Sequence, residues 1–134
     1  MTIKFVIPLD PITKKNHGQI ITVGGRPRMI PSKQYLQYEK DCAPFIPRLD
    51  KPIDYPVTVS AHFYKSTRRA YDLINALQAL LDILVKYGVL ADDNMQIVFS
   101  VDGSRAGYSK EFPHTEVEIT GEERGDVDVF PKTV

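Results

Sequence analysis

A chain of 134 residues with 43% hydrophobic and 25% charged side chains is ordinary for one globular domain and long enough to bury a core. It contains no apolar run near the length of a membrane span and no signal-peptide pattern at Met1, so we expect a cytoplasmic protein that does not enter a membrane. The single cysteine, Cys42, excludes an internal disulfide and a cysteine-rich metal site.

The net charge of zero hides an uneven distribution along the chain. Residues 1–70 hold 12 Lys and Arg against 5 Asp and Glu, whereas residues 71–134 hold 5 against 12, so the two halves carry +7 and −7. A basic half suits contacts to phosphates, and an acidic half suits metal binding. Scattered solvated charge explains the same counts equally well, so the asymmetry alone does not decide between these interpretations.

The chain opens with a loosely alternating segment, Thr2–Ile7, that predicts a first strand. A basic turn follows this strand and carries three polar side chains: Lys14, Lys15 and Asn16. Two lysines and an amide in one turn suit contacts to the phosphate oxygens of a nucleic acid. The same residues are ordinary turn chemistry, so a purely structural role stays open.

The next segment predicts a β-hairpin and a short helix. A Gly-Gly pair separates Gln19–Val23 from Arg26–Ile30, which is a strong signal for a two-residue hairpin loop. Arg26 and Arg28 on the second strand are suited to reach a DNA backbone. Ser32 is a typical N-cap for the helix that follows.

The strongest pattern in the chain is a longer amphipathic helix. Apolar residues recur at helical spacing from Leu73 to Val85, and Gly88 is well placed to end the helix. The opposite side collects four polar residues and one alanine: Asp72, Asn75, Gln78, Ala79 and Asp82. A half-buried strand, Tyr55–Lys65, precedes this helix, and the basic pair Arg68-Arg69 leads into it.

An acidic pair, Asp92-Asp93, follows the helix and precedes a strand-like segment, Met95–Val101. A strand packed beside the helix would return this pair toward Asp72 and Asp82. Carboxylate oxygens are the ligands that Mg²⁺ prefers, and crowded carboxylates favour cation binding because it relieves their repulsion. Helix capping and turn formation explain the same aspartates one at a time.

The pattern D-x-x-N-x-x-x-A-x-x-D-x-L followed by G-V-x-x-D-D resembles the RusA family of Holliday-junction endonucleases. Its positions are those of Asp72, Asn75, Ala79, Asp82, Asp92 and Asp93. The likeness extends over about residues 1 to 120 and includes the first strand, the Lys-Lys-Asn turn and the final strand. It implies a homodimeric nuclease that resolves four-way DNA junctions with Mg²⁺, or Mn²⁺ in its place, and without a small-molecule cofactor.

The resemblance also implies roles for individual side chains. Asp72, Asp92 and Asp93 are expected to be catalytic, and the same three with Asp82 are expected to ligate the metal. Expected DNA contacts are Lys14, Lys15, Asn16, Arg26, Arg28, Arg68 and Arg69. Expected supporting residues are Asn75, Gln78 and Lys86.

Two positions depart from the family's usual D-x-D-N-x-x-K pattern, since Ile74 replaces the second aspartate and Gln78 replaces the lysine. We expect Ile74 to pack at the apolar border of the helix. Gln78 lacks the positive charge that would stabilise a phosphate in the transition state. Candidate substitutes are Arg68, Arg69 and Lys86, the last of which lies on the same side of the helix. Three functions stay open: an active junction nuclease, a junction-binding protein with weakened or lost cleavage, and a metal-dependent hydrolase of another phosphate ester.

The order of the elements predicts one α+β domain over residues 1–120. We expect a mostly antiparallel sheet with two main helices packed on it, as the RusA-like pattern implies, and His114–Ile119 as the last strand. Residues 121–134 carry charge, glycine and proline without periodicity, which predicts a loosely held C-terminal tail.

Overall fold

The computed structural model describes residues 1–13 and 18–121. The predicted Lys14-Lys15-Asn16 turn lies outside these residues, and so does the predicted tail beyond Gly121. No helix in the two described ranges is long and apolar enough to cross a membrane.

The described residues form a mixed fold with a main sheet, a separate hairpin and two α-helices. The strands are β1 (Thr2–Ile7), β2 (Gln19–Val23), β3 (Arg26–Ile30), β4 (Val57–Lys65), β5 (Val98–Ser100), β6 (Arg105–Tyr108) and β7 (His114–Gly121). The helices are α1 (Lys33–Cys42), which a short 3₁₀ turn follows, and α2 (Leu73–Lys86). The α+β prediction is therefore confirmed.

The main sheet runs in the order β1-β7-β4-β5, and β6 also pairs with β4. β7 is antiparallel to both β1 and β4, whereas β5 and β6 run parallel to the beginning and the end of β4. Strands β2 and β3 form a two-stranded sheet of their own. The predicted mostly antiparallel sheet is confirmed, with parallel pairing limited to two short strands.

The core lies between one face of the main sheet and the helices. Burial alternates along β4 because successive side chains of a strand point to opposite faces, and Val57, Val59 and Ala61 are fully buried. The buried side of α2 contributes seven residues to the same core: Ala76, Leu77, Ala79, Leu80, Leu81, Ile83 and Leu84. This packing fixes the rotation of α2 about its axis and leaves its polar edge at the border of the core.

Helix α2 begins and ends where the sequence predicts. Asp72 is its N-cap, and Gly88 follows its last turn with a φ of 77°, a left-handed conformation that glycine adopts readily. Ser32 likewise caps α1, since its hydroxyl accepts a hydrogen bond from the backbone N–H of Tyr35 at 3.1 Å. Both helix starts are therefore defined by local sequence.

The expected strand over Met95–Val101 is wrong in its first half. The side chain of Asn94 accepts a hydrogen bond from the Gln96 N–H at 2.9 Å, and its backbone carbonyl accepts from the N–H groups of Ile97 and Val98. These bonds form a turn, so the strand is shortened to β5. Strand β6 was not predicted because its sequence, Arg-Ala-Gly-Tyr, has no apolar alternation, and it is defined by backbone pairing with β4.

Two side chains of α2 differ from the prediction in their burial. Ile74 does not pack at the apolar border, since 68% of it is exposed. It belongs to the first turn of α2, which no described element covers on that side. Ala79 is buried, with 2% exposed, because it lies at the edge of the buried side of α2, next to the buried Leu80.

Replacing Leu84 by Ala should lower the free energy of unfolding by about 2–5 kcal/mol, because a fully buried leucine leaves a cavity. The matched control on the same helix is Ile74→Ala, which should change the free energy of unfolding by less than about 0.5 kcal/mol. Urea unfolding followed by circular dichroism measures both. Equal destabilisation by the two variants would contradict the exposure of Ile74.

Candidate functional site

Asp72 is held at the start of α2 by its own helix. Its Oδ1 atom accepts hydrogen bonds from the backbone N–H groups of Ile74 and Asn75, at 2.8 and 3.3 Å. The capping interpretation of Asp72 is therefore correct as far as Oδ1 is concerned. Oδ2 takes part in neither bond, so the capping role leaves one carboxylate oxygen for other contacts.

A cavity of about 550 Å³ opens beside this helix start. Its polar lining comes from three parts of the chain: Thr13, Gln34, Lys65, Thr67, Arg69, Asp72 and Asn75. Asp72 and Asn75 are motif residues, whereas Lys65 and Arg69 bring two positive charges to the same space. A cavity with two cations, hydroxyl and amide groups and one carboxylate suits a phosphate group.

The wall of this cavity is fixed by contacts between the end of β4 and the segment after β1. The ammonium of Lys65 donates a hydrogen bond to the carbonyl of Pro11 at 2.7 Å. The carboxylate of Asp10 accepts from the backbone N–H of Ser66 at 3.2 Å and from its hydroxyl. These bonds hold Lys65 at the rim of the cavity, against the backbone of Pro11.

Tyr71 supports the same wall from below. Its hydroxyl lies 3.1 Å from the carbonyl of Phe63 and 3.0 Å from that of Gly107, and the two carbonyls share its single O–H as acceptors. Burial raises the pKa of Tyr71, so the hydroxyl stays a neutral donor at neutral pH. The ammonium of Lys65 lies 5.7 Å from the centre of the Tyr71 ring, a cation–π distance.

The two arginines that lead into α2 point to different surroundings. Arg69 lines the cavity. The guanidinium of Arg68 instead lies over the ring of Tyr108, 4.7 Å from its centre. The expectation that both contact DNA therefore becomes two separate predictions, of which Arg69 is nearer to the motif residues.

A second polar group lies further along α2. The Gln78 amide nitrogen donates to Asp82 Oδ1 at 3.1 Å and to Asp93 Oδ2 at 3.2 Å. Gln78 thus bridges the two carboxylates, so Asp93 of the acidic pair lies at the polar edge of α2. One amide nitrogen occupies the place between two carboxylates that a lysine ammonium or a metal ion would otherwise suit.

Glu39 of α1 adds a carboxylate that the sequence analysis did not single out. It is buried, with 8% exposed, and forms an ion pair with Lys86. The hydrogen bond from Lys86 to Glu39 raises the pKa of the Lys86 ammonium. A shallow cavity of about 320 Å³ is lined by Glu39, Asp82, Val85, Lys86 and Asp93. Lys86 therefore lines the same cavity as Asp82 and Asp93, and its ammonium is paired with Glu39.

Asp92 forms a local turn. Its Oδ1 accepts from the N–H of Asp93 at 2.7 Å, and its Oδ2 accepts from the side-chain amide of Asn94 at 3.2 Å. Both oxygens of this carboxylate therefore have partners within the loop.

The four aspartates do not form the single cluster that the sequence suggested. Within residues 1–13 and 18–121, no three His, Cys, Asp or Glu side chains lie close enough together to hold a metal ion. Asp72 faces the larger cavity, Asp82 and Asp93 share Gln78, and Asp92 is used in its turn. The physical reason is the helix rise, since ten residues separate Asp72 from Asp82 by about 15 Å along the axis.

The basic residues expected to contact DNA lie in three places. Arg69 lines the cavity, Arg68 lies over Tyr108, and Arg26 and Arg28 are exposed on the hairpin. The expected contacts of Lys14, Lys15 and Asn16 lie outside the described residues.

Sequence reasoning did not single out Lys65 or Glu39, and the available signals were weak. Lys65 ends a strand whose alternation was clear, and the end of a strand next to a motif is a frequent place for functional side chains. Glu39 lies on α1, and its burial depends on how α1 packs against α2, which no local pattern reveals.

Capping and carboxylate chemistry at Asp72 are separable by substitution. Asp72→Ala should lower the free energy of unfolding by about 1 kcal/mol, because it removes the N-cap. Asp72→Asn should change it little, because an asparagine oxygen also caps a helix. Urea unfolding of the two variants checks this, and equal losses of stability would contradict capping by Oδ1.

Comparison with known protein families matches residues 8–120 to the family described as endodeoxyribonuclease RusA. Comparison with curated proteins gives no match. The matched residues cover most of the chain and include both the Asp72 cavity and the group around Gln78. They begin at Pro8, directly after β1, and end within the last strand, so they contain the other described elements as well as the motif. The chain therefore belongs to the RusA family of endodeoxyribonucleases.

Proposed function

We propose that this protein binds four-way DNA junctions and cleaves them at the cavity beside Asp72. The observation that carries the proposal is that Asp72 and Asn75, two motif residues, share this cavity with Lys65 and Arg69. Family membership supports the class of reaction, and the basic character of residues 1–70 supports a polyanionic partner.

The chain's own residues would perform most of the work at the scissile phosphate. Lys65 and Arg69 neutralise the phosphate charge and hold the backbone in the cavity. Tyr71 stays protonated and keeps Lys65 over its ring, while Asn75 offers an amide to the DNA. Asp72 presents Oδ2 from a helix start that its own Oδ1 has fixed.

Mg²⁺ is part of this proposal, and the residues fit it only with fewer protein ligands than the four aspartates that the sequence suggested. Mg²⁺ usually keeps several waters and binds through one or two carboxylates together with substrate phosphates. Asp72 fits that arrangement, whereas the Asp82–Asp93 pair is bridged by Gln78. When bound, the ion supplies charge neutralisation and a bound water of lowered pKa.

A second candidate function is junction binding with weakened cleavage. Its support is specific: Ile74, where the family has an aspartate, is exposed beside the helix start, and Gln78 spans two carboxylates without adding charge. Loss of one electrostatic stabiliser costs about 10² to 10³ in rate. Binding would survive such losses because it depends on the basic residues.

A homodimer belongs to the proposal because a four-way junction has near two-fold symmetry and its resolution requires two nicks. One site in a small chain then calls for two copies related by a two-fold axis, the commonest oligomer. Sedimentation with and without junction DNA tests this. A monomer in both conditions would favour the binding function over paired cleavage.

Restoring the family residues should raise cleavage. We expect Ile74→Asp combined with Gln78→Lys to increase the rate on a four-way junction by about 10²-fold or more in Mg²⁺, because a carboxylate and a charge are returned to the site. Asp72→Asn in either background should abolish cleavage while binding persists. Denaturing gels of end-labelled junctions measure the rates, with linear duplex as the control substrate.

The same assay separates the candidates. Wild-type cleavage that Asp72→Asn removes supports the nuclease, whereas binding without cleavage, rescued by the double variant, supports the binding function. Cleavage unchanged in Asp72→Asn would contradict the assignment of the cavity. If the protein has no affinity for any junction, the remaining function is the hydrolysis of another phosphate ester.

Arg69 and Arg68 form a matched pair for locating the phosphates. Arg69→Ala should weaken junction binding and reduce the slope of log affinity against log salt by about 0.7–0.9, as expected for one lost phosphate contact. Arg68→Ala should have a smaller effect because its guanidinium lies over Tyr108. Mobility-shift titrations at several salt concentrations measure both slopes, and the reverse order would move the DNA path toward Tyr108.

A further inference from the structure

The β2–β3 hairpin has two chemically different faces. Cross-strand pairing puts Ile20 opposite Met29 and Thr22 opposite Pro27 on one face, because paired residues of an antiparallel ladder share a face. The other face carries Arg26 and Arg28, whose partners across the strands are Val23 and Ile21. One face is therefore mainly apolar, whereas the other combines two arginines with two aliphatic side chains.

The apolar face is open to solvent over the described residues. Ile20 is 70% exposed and Met29 is 68% exposed, and the hairpin forms a sheet separate from the main one. Two large apolar side chains held side by side at this exposure are typical of a surface that contacts a partner.

The hairpin is rooted at the rim of the Asp72 cavity. Thr13, five residues before Gly18, and Gln34, four residues after Ile30, both line that cavity. The Gln19 amide donates to the carbonyl of Pro31 at 3.1 Å and closes the base of the hairpin. Strands of five residues carry its tip about 17 Å from this root.

The tip itself is a two-residue turn of defined type. Gly24 and Gly25 have φ values of 58° and 78°, as a type I′ hairpin turn requires. A protruding ribbon with a defined register is suited to enter nucleic acid as one body.

We propose, on the basis of the proposed junction-binding function, that this hairpin inserts at the branch point of the DNA. Its apolar pair, Ile20 and Met29, would contact the base pair exposed at the crossover, and Arg26 and Arg28 would contact the phosphates of the crossing strand. Apolar wedges of this kind unstack bases in other DNA-binding architectures.

Charge decides between DNA and a second copy of the chain as the occupant. An interface between two copies would bring four hairpin arginines close together, two from each chain, and acidic partners on these strands are absent from the sequence. A polyanion instead pairs with the basic face while a base covers the apolar face. In a continuous duplex, stacking covers both sides of every base pair, so the branch point is the place where both faces find partners.

The test uses a four-way junction with 2-aminopurine at the branch point, because the fluorescence of this base rises when it unstacks. Binding is measured without Mg²⁺ so that the strands stay intact. Wild-type protein should raise the fluorescence. Ile20→Ala combined with Met29→Ala should lose this rise and weaken junction binding about tenfold or more, with an unchanged salt slope.

Two controls make the result specific. Arg26→Ala combined with Arg28→Ala should reduce the salt slope by about 0.9 per lost contact, which separates phosphate contacts from base contacts. Val6→Ala, an aliphatic residue that is 43% exposed on β1, should change neither affinity nor fluorescence.

Other outcomes overturn the proposal in distinguishable ways. Normal junction affinity and a normal fluorescence rise in the Ile20/Met29 variant would refute the wedge but leave the proposed function intact. Conversion of a wild-type dimer to a monomer by that variant would identify the face as a contact between copies and overturn the wedge. Wild-type protein with no preference for the junction over linear duplex would overturn both proposals.

Discussion

The burial of one side of α2 in the core that it shares with β4 is the constraint on which the candidate site depends. Seven residues of α2 are buried, so the helix can present only one narrow polar edge to solvent. Along that edge the helix rise fixes the spacing, and Asp72 and Asp82 lie about 15 Å apart along the axis. Ligands of one Mg²⁺ lie about 2.1 Å from it, so no single ion reaches both carboxylates. A site on this helix must therefore be built at one end, with residues from other elements.

The rest of the arrangement follows from that division. At the N-terminal end of α2, the last residue of β4, Lys65, is hydrogen-bonded to Pro11 and lines the Asp72 cavity. Its positive charge suits a phosphate. At the middle of the helix, Gln78 holds Asp82 and Asp93 through one amide. A lysine at position 78 would carry a charge between the same carboxylates. The two departures from the family pattern thus lie on either side of Asn75 in the sequence. Ile74 is next to the Asp72 cavity, and Gln78 is in the group with Asp82 and Asp93.

Much of the fold could be predicted because its signals are local. Hairpin, helix starts and the alternation of β4 depend on glycine turns, caps and period-two burial within a few residues. Strand β6 could not be predicted, because it is defined by backbone pairing with a strand that is distant in sequence. The exposure of Ile74 and the burial of Glu39 could not be predicted for the same reason. Both depend on which elements cover α2. The predicted cluster of four aspartates is absent from the described residues. Two side chains on one edge of a helix point the same way, but they can still be far apart along the helix axis.

The most direct test of this division is the anomalous scattering of Mn²⁺ in crystals of the protein bound to a four-way junction. A hard cation held by one carboxylate and DNA phosphates should give a peak beside Asp72 Oδ2, next to Lys65 and Arg69. The side chain of Gln78 should still span Asp82 and Asp93. A peak ligated by Asp82, Asp92 and Asp93, with none beside Asp72, would contradict the assignment of the reactive site to the N-terminal end of α2.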